Sequence, residues 1–201
     1  MTTARDLLIV TMDPGTGRPV EQGDLSLALA GAELIDLVEA SAVDLDGDRI
    51  VPGPQPATGD RLLDEAASSL VRAEPYESAE DWLWRRGRGL FSAYLAALET
   101  EGLITRERGR RFPVRTGRKA LADSPDRRRA EERQASDEPV LAALTTALGI
   151  RDEPVDGLPE LTDDAVVTVL ATVGNAVTEL EAVRQRRTIE DAAFDNVWRG
   201  M

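Results

Sequence analysis

Residues 81–119 read DWLWRRGRGLFSAYLAALETEGLITRERGRRFPVRTGRK. The stretch opens on Trp82, Trp84, Arg85, Arg86 and Arg88. Leu90, Tyr94, Ala97 and Leu98 then recur at the spacing of one helix face. Gly102 closes that helix, because a glycine accepts the left-handed conformation that ends helices without steric cost. Residues 103–116 follow as a basic β-hairpin whose tip holds Arg108, Gly109, Arg110, Arg111 and Phe112. Six of the eight aromatic residues lie between Tyr76 and Phe112. Residues 105–129 hold ten Lys or Arg against three Asp or Glu, a charge of +7. The whole chain carries −13, which leaves −20 for the remainder. An acidic chain that gathers its positive charge in one place points to an anionic partner.

Outward from this stretch, the sequence is mainly helical. Residues 5–12 form a short apolar element, ended by the turn signal Asp13-Pro14-Gly15. Asp24 is placed to N-cap a helix that buries one face through Leu27, Ala30, Leu34 and Leu37, widened by Leu25 and Leu29. Residues 43–51, VDLDGDRIV, predict a hairpin around Asp46-Gly47. Asp44, Asp46 and Asp48 also resemble the start of a calcium loop, but its twelfth position would be Gln55 instead of Glu, so the hairpin is preferred. Residues 52–56 are a loop. Asp60 caps a helix reaching Ala73, and Ser78 with Asp81 makes a capping box for the helix of Trp82. Residues 119–135 read either as a mobile connector or as a solvated helix. Ser136-Asp137 begins a helix with Leu141, Leu144 and Leu148, stopped by Gly149. Residues 151–161 are an acidic loop. Thr162 caps the longest stripe, Val166, Val169, Leu170, Val173, Val177 and Leu180. Thr188 with Asp191 begins a last helix that docks Phe194 and Trp198 on the core. The expectation is one mainly α domain over residues 1–201 with two small hairpins, 43–51 and 103–116.

Composition narrows the chemistry. With no cysteine and no histidine there is no disulfide, no thiolate zinc site and no imidazole base. Lys119 is the only lysine, and no Gly-rich phosphate loop precedes it. The chain reads as a non-enzyme without a cofactor or metal. No apolar run approaches the ~18 residues of a membrane span. The apolar patch at Leu7–Val10 is too short for a signal peptide. The expected location is cytoplasmic. Twenty-three arginines against one lysine fit a GC-rich coding bias.

Thr58-Gly59-Asp60-Arg61-Leu62-Leu63-Asp64-Glu65-Ala66 resembles the Thr-Gly-Asp-x-Leu-Leu-Asp-Glu-Ala signature of the Golgi phosphoprotein 3 family. Residues 29–37, LAGAELIDL, resemble that family's first long helix, and Trp82 falls at the tryptophan of its short amphipathic helix. Residues 98–104, LETEGLI, are similar to its Leu-Val-Glu-Lys-Gly-Val-Leu helix end. The likeness covers roughly residues 6–150, and its arginine bias marks the chain as a divergent, prokaryotic-type member. The resemblance implies a helix bundle ringed by amphipathic helices, with a projecting hairpin that meets membrane and other subunits. Eukaryotic members bind phosphatidylinositol 4-phosphate at Golgi membranes and sort glycosyltransferases. Of the head-group pocket the family uses, one arginine matches Arg88. A second falls on Phe91, a third on Ala30, and the tryptophan near Glu21.

These readings give a reversible peripheral membrane protein at the cytoplasmic face of a membrane. Arg85, Arg86 and Arg88 are the expected ligands of an anionic head group, by charged, forked hydrogen bonds. The same arginines could instead pair with the chain's own 37 carboxylates. Arg106, Arg108, Arg110, Arg111 and Phe112 are the expected membrane-facing hairpin. Trp82, Phe91 and Tyr94 fit helical stripes and read as core. Trp84 lies two positions from Trp82 and cannot face the same way on one helix, so one of the pair belongs at the surface. Expected partners are anionic phospholipid, phosphatidylinositol 4-phosphate foremost, together with protein cargo and a second copy of the chain. Two alternatives use the same residues. One is a lipid-independent adaptor. The other is a winged helix on nucleic acid, which the net charge of −13 disfavours.

Overall fold

The computed structural model describes residues 2–13, 19–55, 57–106, 119–151 and 163–199; the side chains of Arg106, Lys119 and 192–199 are outside that description. The element order is α1 (Thr3–Met12), α2 (Gln22–Glu39), β1 (Val43–Asp46), β2 (Arg49–Pro52), α3 (Arg61–Ser68), α4 (Ala79–Arg86) and α5 (Leu90–Thr100). After these come β3 (Ile104–Arg106), β4 (Lys119–Leu121), α6 (Pro125–Ala135), α7 (Pro139–Ala147) and α8 (Asp164–Arg199). The mainly helical expectation with two small antiparallel hairpins holds.

Helix α2 is the centre. The sequence predicts one buried face, yet all thirteen residues from Leu25 to Leu37 are buried. A helix apolar all round must be enclosed, and α1, α3, α4, α5, α7 and α8 all pack against it. Its small residues let these neighbours come close. A methyl group on Gly31 would lie 2.2 Å from Val173 Cγ2, so α8 crosses α2 at a contact that only glycine allows. Leu7, Leu8, Trp82, Leu83, Tyr94, Leu98, Leu141, Leu144, Val169 and Val173 complete one continuous core.

Local chemistry sets the element ends. Asp60 Oδ1 accepts from the N–H groups of Leu62 and Leu63, at 2.9 and 3.2 Å, and starts α3 as predicted. The residues around it explain why the signature holds together. Thr58 donates from its backbone and hydroxyl to Asp64 Oδ1, at 2.9 and 2.7 Å. Gly59 turns the chain at φ +77°. Arg5 of α1 reaches Asp60 Oδ2 at 3.1 Å. The signature is therefore a cap that bolts α3 to α1. Ser78 Oγ accepts from Asp81 N–H at 3.0 Å, the predicted start of α4. At the end of α5, Leu103 N–H reaches Leu98 carbonyl at 2.9 Å and Gly102 N–H reaches Glu99 carbonyl at 3.2 Å, with Gly102 at φ +76°.

Several boundaries differ from expectation. Asp24 is not the cap of α2; the helix begins earlier, at Gln22, and Asp24 instead pairs with Arg184 of α8 at 2.9 and 2.5 Å. Helix α3 stops at Ser68 instead of Ala73, where the Ser68 and Ser69 hydroxyls fold back on the carbonyls of Asp64 and Ala66. The first hairpin turns on Gly47-Asp48, one residue later than predicted, with Asp46 opposite Arg49. The second pairs β3 with β4, so its returning strand lies at 119–121, beyond the expected end at residue 116. Helix α6 spans most of 119–135. It is held to α1 by Arg129 and Arg133, which reach the buried Asp6 at 3.0 and 2.7 Å. Helix α7 starts at Pro139 because Glu138, not Ser136, caps it. Thr162 lies outside the described residues, and Asp163 accepts from Ala165 and Val166 N–H at 2.9 and 3.4 Å.

No break occurs at Thr188. Its hydroxyl bonds to the Arg184 carbonyl inside one continuous helix α8. That continuity corrects a second expectation. Part of α8, Asp164–Asp191, is long enough to cross a bilayer and holds an 18-residue window apolar enough to do so, with a mean hydropathy of 1.4. Val166, Val169, Leu170, Val173, Ala176 and Val177 are buried, and α8 packs mainly on α2, as a core helix does.

Candidate anion-binding pocket

The three clustered arginines of the sequence go to three different surroundings. Arg85 Nε and Nη2 donate to Glu77 at 2.6 and 2.7 Å, and the guanidinium lies 5.1 Å over the Trp82 ring. Arg86 turns inward. Its Nε and Nη2 donate to Glu33 at 2.7 and 2.9 Å, and Nη2 also reaches the Leu62 carbonyl at 3.0 Å. Glu33 is wholly buried and also accepts from Tyr94 Oη at 3.0 Å. Burial pushes the Glu33 carboxyl up, against the opposing pull of Arg86 and Tyr94. Burial, then the Glu33 charge, pushes the Tyr94 hydroxyl up. Arg88 is exposed and makes no hydrogen bond or ion pair among the described residues.

Backbone geometry separates Arg86 from Arg88. Helix α4 ends at Arg86, and the buried Gly87 is its C-cap. A methyl group on Gly87 would stand 2.7 Å from the Leu83 carbonyl oxygen and 3.3 Å from that of Ser26. Gly89, at φ +73°, then swings the chain into α5 without a capping side chain. Arg88 is left on the outside of this bend, at the mouth of an open pocket of about 300 Å³. The start of α2 supplies Gln22, Gly23 and Ser26 to its lining. Half-buried Trp84 and Phe91 form aromatic walls, and Leu180 of α8 closes one side. Phe91 N–H donates to Ser26 Oγ at 3.3 Å, which ties α5 to α2 across the pocket.

Trp84 is thus the surface member of the tryptophan pair. Trp82 is fully buried, with Nε1 donating to the Ala30 carbonyl at 3.1 Å. Of the positions carried over from the family likeness, Arg88 and Phe91 meet in this pocket. Glu21 adjoins it at the start of α2, while Ala30 is sealed in the core. Arg106 sits opposite Lys119 in the β3–β4 ladder, so the two ends of the basic segment lie side by side, with β3 against α5 and β4 against α1. Arg108, Arg110, Arg111 and Phe112 lie outside the described residues. Among the described residues no group of three or more acidic side chains is placed to hold a metal ion.

The profile of the family described as Golgi phosphoprotein 3 (GPP34) matches residues 4–193. The chain belongs to the Golgi phosphoprotein 3 family. The match runs well beyond the stretch of residues 6–150 over which the sequence resemblance extends, and takes in most of α8. At the level of the family it assigns a lipid-associated role in membrane trafficking. No curated protein matches the chain.

Sequence reasoning missed two parts of this Golgi phosphoprotein 3 fold. The Glu33–Arg86–Tyr94 cluster had one signal, a lone glutamate inside the apolar run LALAGAELIDL of residues 27–37. The contribution of Leu180 and of the Asp24–Arg184 pair to the pocket edge had none, because α8 is distant in sequence.

Proposed function

We propose that this chain is a non-enzymatic peripheral membrane protein. It binds anionic phospholipid head groups at the Arg88 pocket and through the basic segment 106–119, and it recruits protein partners to the cytoplasmic face of a membrane. The observation that carries this reading is Arg88, a guanidinium without a partner among the described residues, at the rim of an aromatic-walled pocket. Arg85 and Arg86 support that rim from behind through Glu77 and Glu33. The family match supports the lipid-associated part, and the +7 charge of residues 105–129 supports adsorption to an anionic leaflet. Each basic residue near such a surface adds about 1 kcal/mol, an attraction that salt weakens. Phosphatidylinositol 4-phosphate is the lipid that the family likeness brings first to the test.

The experiment is vesicle co-sedimentation at low and physiological salt, with the triple variant Arg108→Ala, Arg110→Ala, Arg111→Ala beside the wild type. Loss of binding with the helical circular dichroism retained is expected. Unchanged binding in that variant would remove the basic segment from the membrane contact. Absence of binding to every anionic vesicle, with protein capture retained, would favour a lipid-independent adaptor.

A further inference from the structure

We infer that the Arg88 pocket is selective for a singly charged phosphodiester head group, of the phosphatidylglycerol kind, over a phosphomonoester; this rests on the membrane-binding reading above. Charge counting around the pocket carries it. Among the described residues Arg88 is the one lining residue with a cationic side chain, and Gln22, Ser26 and Ser92 add only neutral polar groups. Arg184 comes close, 3.1 Å from where a Gly23 side chain would start, but both its terminal nitrogens are held by Asp24. Glu21 and Glu181 also act on Arg184. Asp24 therefore already neutralises this cation beside the pocket, which leaves Arg88 to meet a ligand. One guanidinium fork neutralises one phosphate charge. A phosphomonoester brings about −1.5 to −2 at neutral pH, and its surplus would meet only the neutral groups of Gln22, Ser26 and Ser92. A diester brings a single charge. The C–H faces of its two glyceryl substituents can pack against the walls formed by Trp84, Phe91, Leu27 and Leu180.

The test uses the full chain and phosphatidylcholine vesicles carrying phosphatidylglycerol, phosphatidic acid or phosphatidylinositol 4-phosphate, at lipid fractions that equalise total surface charge. Phosphatidylglycerol vesicles are expected to bind most tightly. Arg88→Gln should weaken that binding about tenfold, the scale of one charge-assisted hydrogen bond. Soluble glycerophosphoglycerol should compete and inorganic phosphate should not, which separates a head-group site from a free-phosphate site. Ser92→Arg, at an exposed position on the lining, should shift the preference toward phosphatidic acid by adding the missing cation. Tighter binding to phosphatidic acid or phosphatidylinositol 4-phosphate by the wild type would overturn the inference. So would competition by inorganic phosphate, or an Arg88→Gln variant that binds as well as the wild type; in each case membrane association itself would still stand. Absence of binding to all three vesicles would overturn both readings together.

Discussion

Arg86 and Arg88 are two residues apart, on either side of one glycine, and they do opposite things. Arg86 is mostly enclosed and fully engaged by Glu33 and the Leu62 carbonyl. Arg88 is exposed and engaged by nothing among the described residues. The difference teaches that the fate of an arginine here is decided by the helix beneath it. Helix α2 presents a buried carboxylate under Arg86 and only Ser26, Gly23 and Gln22 under Arg88. One guanidinium completes the core, and the other stands exposed at the pocket.

The sharpest way to break the contrast is to remove the inner arginine. Arg86→Ala would leave Glu33 buried without its cation, since Tyr94 supplies only a neutral hydrogen bond. Breaking a buried pair from one side costs about 3–5 kcal/mol. Arg88→Ala removes an exposed group and should fall within about 0.5 kcal/mol of wild type. Urea unfolding of the two variants measures both. Equal midpoints would show that the Glu33 pair contributes nothing to the fold. The double change Arg86→Met with Glu33→Leu, which removes both charges together, should recover most of the loss.

A second contrast lies within α2 itself. Glu33 is answered by a cation, whereas Asp36, one turn on, is answered by backbone: it accepts from Thr3 and Ala4 N–H at 2.9 and 3.4 Å and thereby caps α1. Burial pushes the Asp36 carboxyl up to about 6, the hydrogen bonds from Thr3 and Ala4 opposing it. A carboxyl whose pKa is raised on folding favours the folded state when protonated. Its contribution is therefore fully present below about pH 3.8 and lost as pH rises through about 6. The full swing is on the order of 3 kcal/mol. Asp36→Asn should remove it, so that wild type gains on the variant as pH falls from 7 toward 4. Thermal melts across that range check the sign. A gap between wild type and Asp36→Asn that stays constant with pH would mean that Asp36 titrates normally.

Both buried carboxylates show why the fold was more legible than the site. Periodicity found α2, α5, α7 and the apolar stripe of α8, because burial repeats along a helix. Caps with a single local partner, such as Asp60 and Ser78, could also be read, since donor and acceptor lie within three residues. Asp24 looked like a cap for the same reason, but a partner 160 residues away claimed it. The Thr188–Asp191 pattern looked like a start, yet nothing stops the helix before it. Long-range pairing decided those cases, and local pattern carries no trace of it. The pocket is made the same way. Arg88 could be named from the sequence, but its isolation from Arg85 and Arg86 depends on Glu77 in the loop before α4 and on Glu33 of α2.

The finest test acts on the residue between the two arginines. Gly87 has an ordinary right-handed conformation, φ −61°, so an alanine there is not strained in its own backbone. Space is the obstacle, because its methyl group would press on the Leu83 carbonyl at 2.7 Å and the Ser26 carbonyl at 3.3 Å. Neither is the free end of a side chain, so the α4–α5 bend must lift from α2. Gly89 offers the matched control, with open space around its missing side chain but a φ of +73°. Gly87→Ala should cost about 1–3 kcal/mol by overpacking and weaken vesicle binding by displacing Arg88 from Ser26 and Gln22. Gly89→Ala should cost about 1–2 kcal/mol through left-handed strain with the pocket floor undisturbed, so its binding should fall less. If Gly87→Ala loses stability while binding vesicles as the wild type does, then the pocket is not where Arg88 meets the membrane. The basic segment would then have to carry the attachment alone.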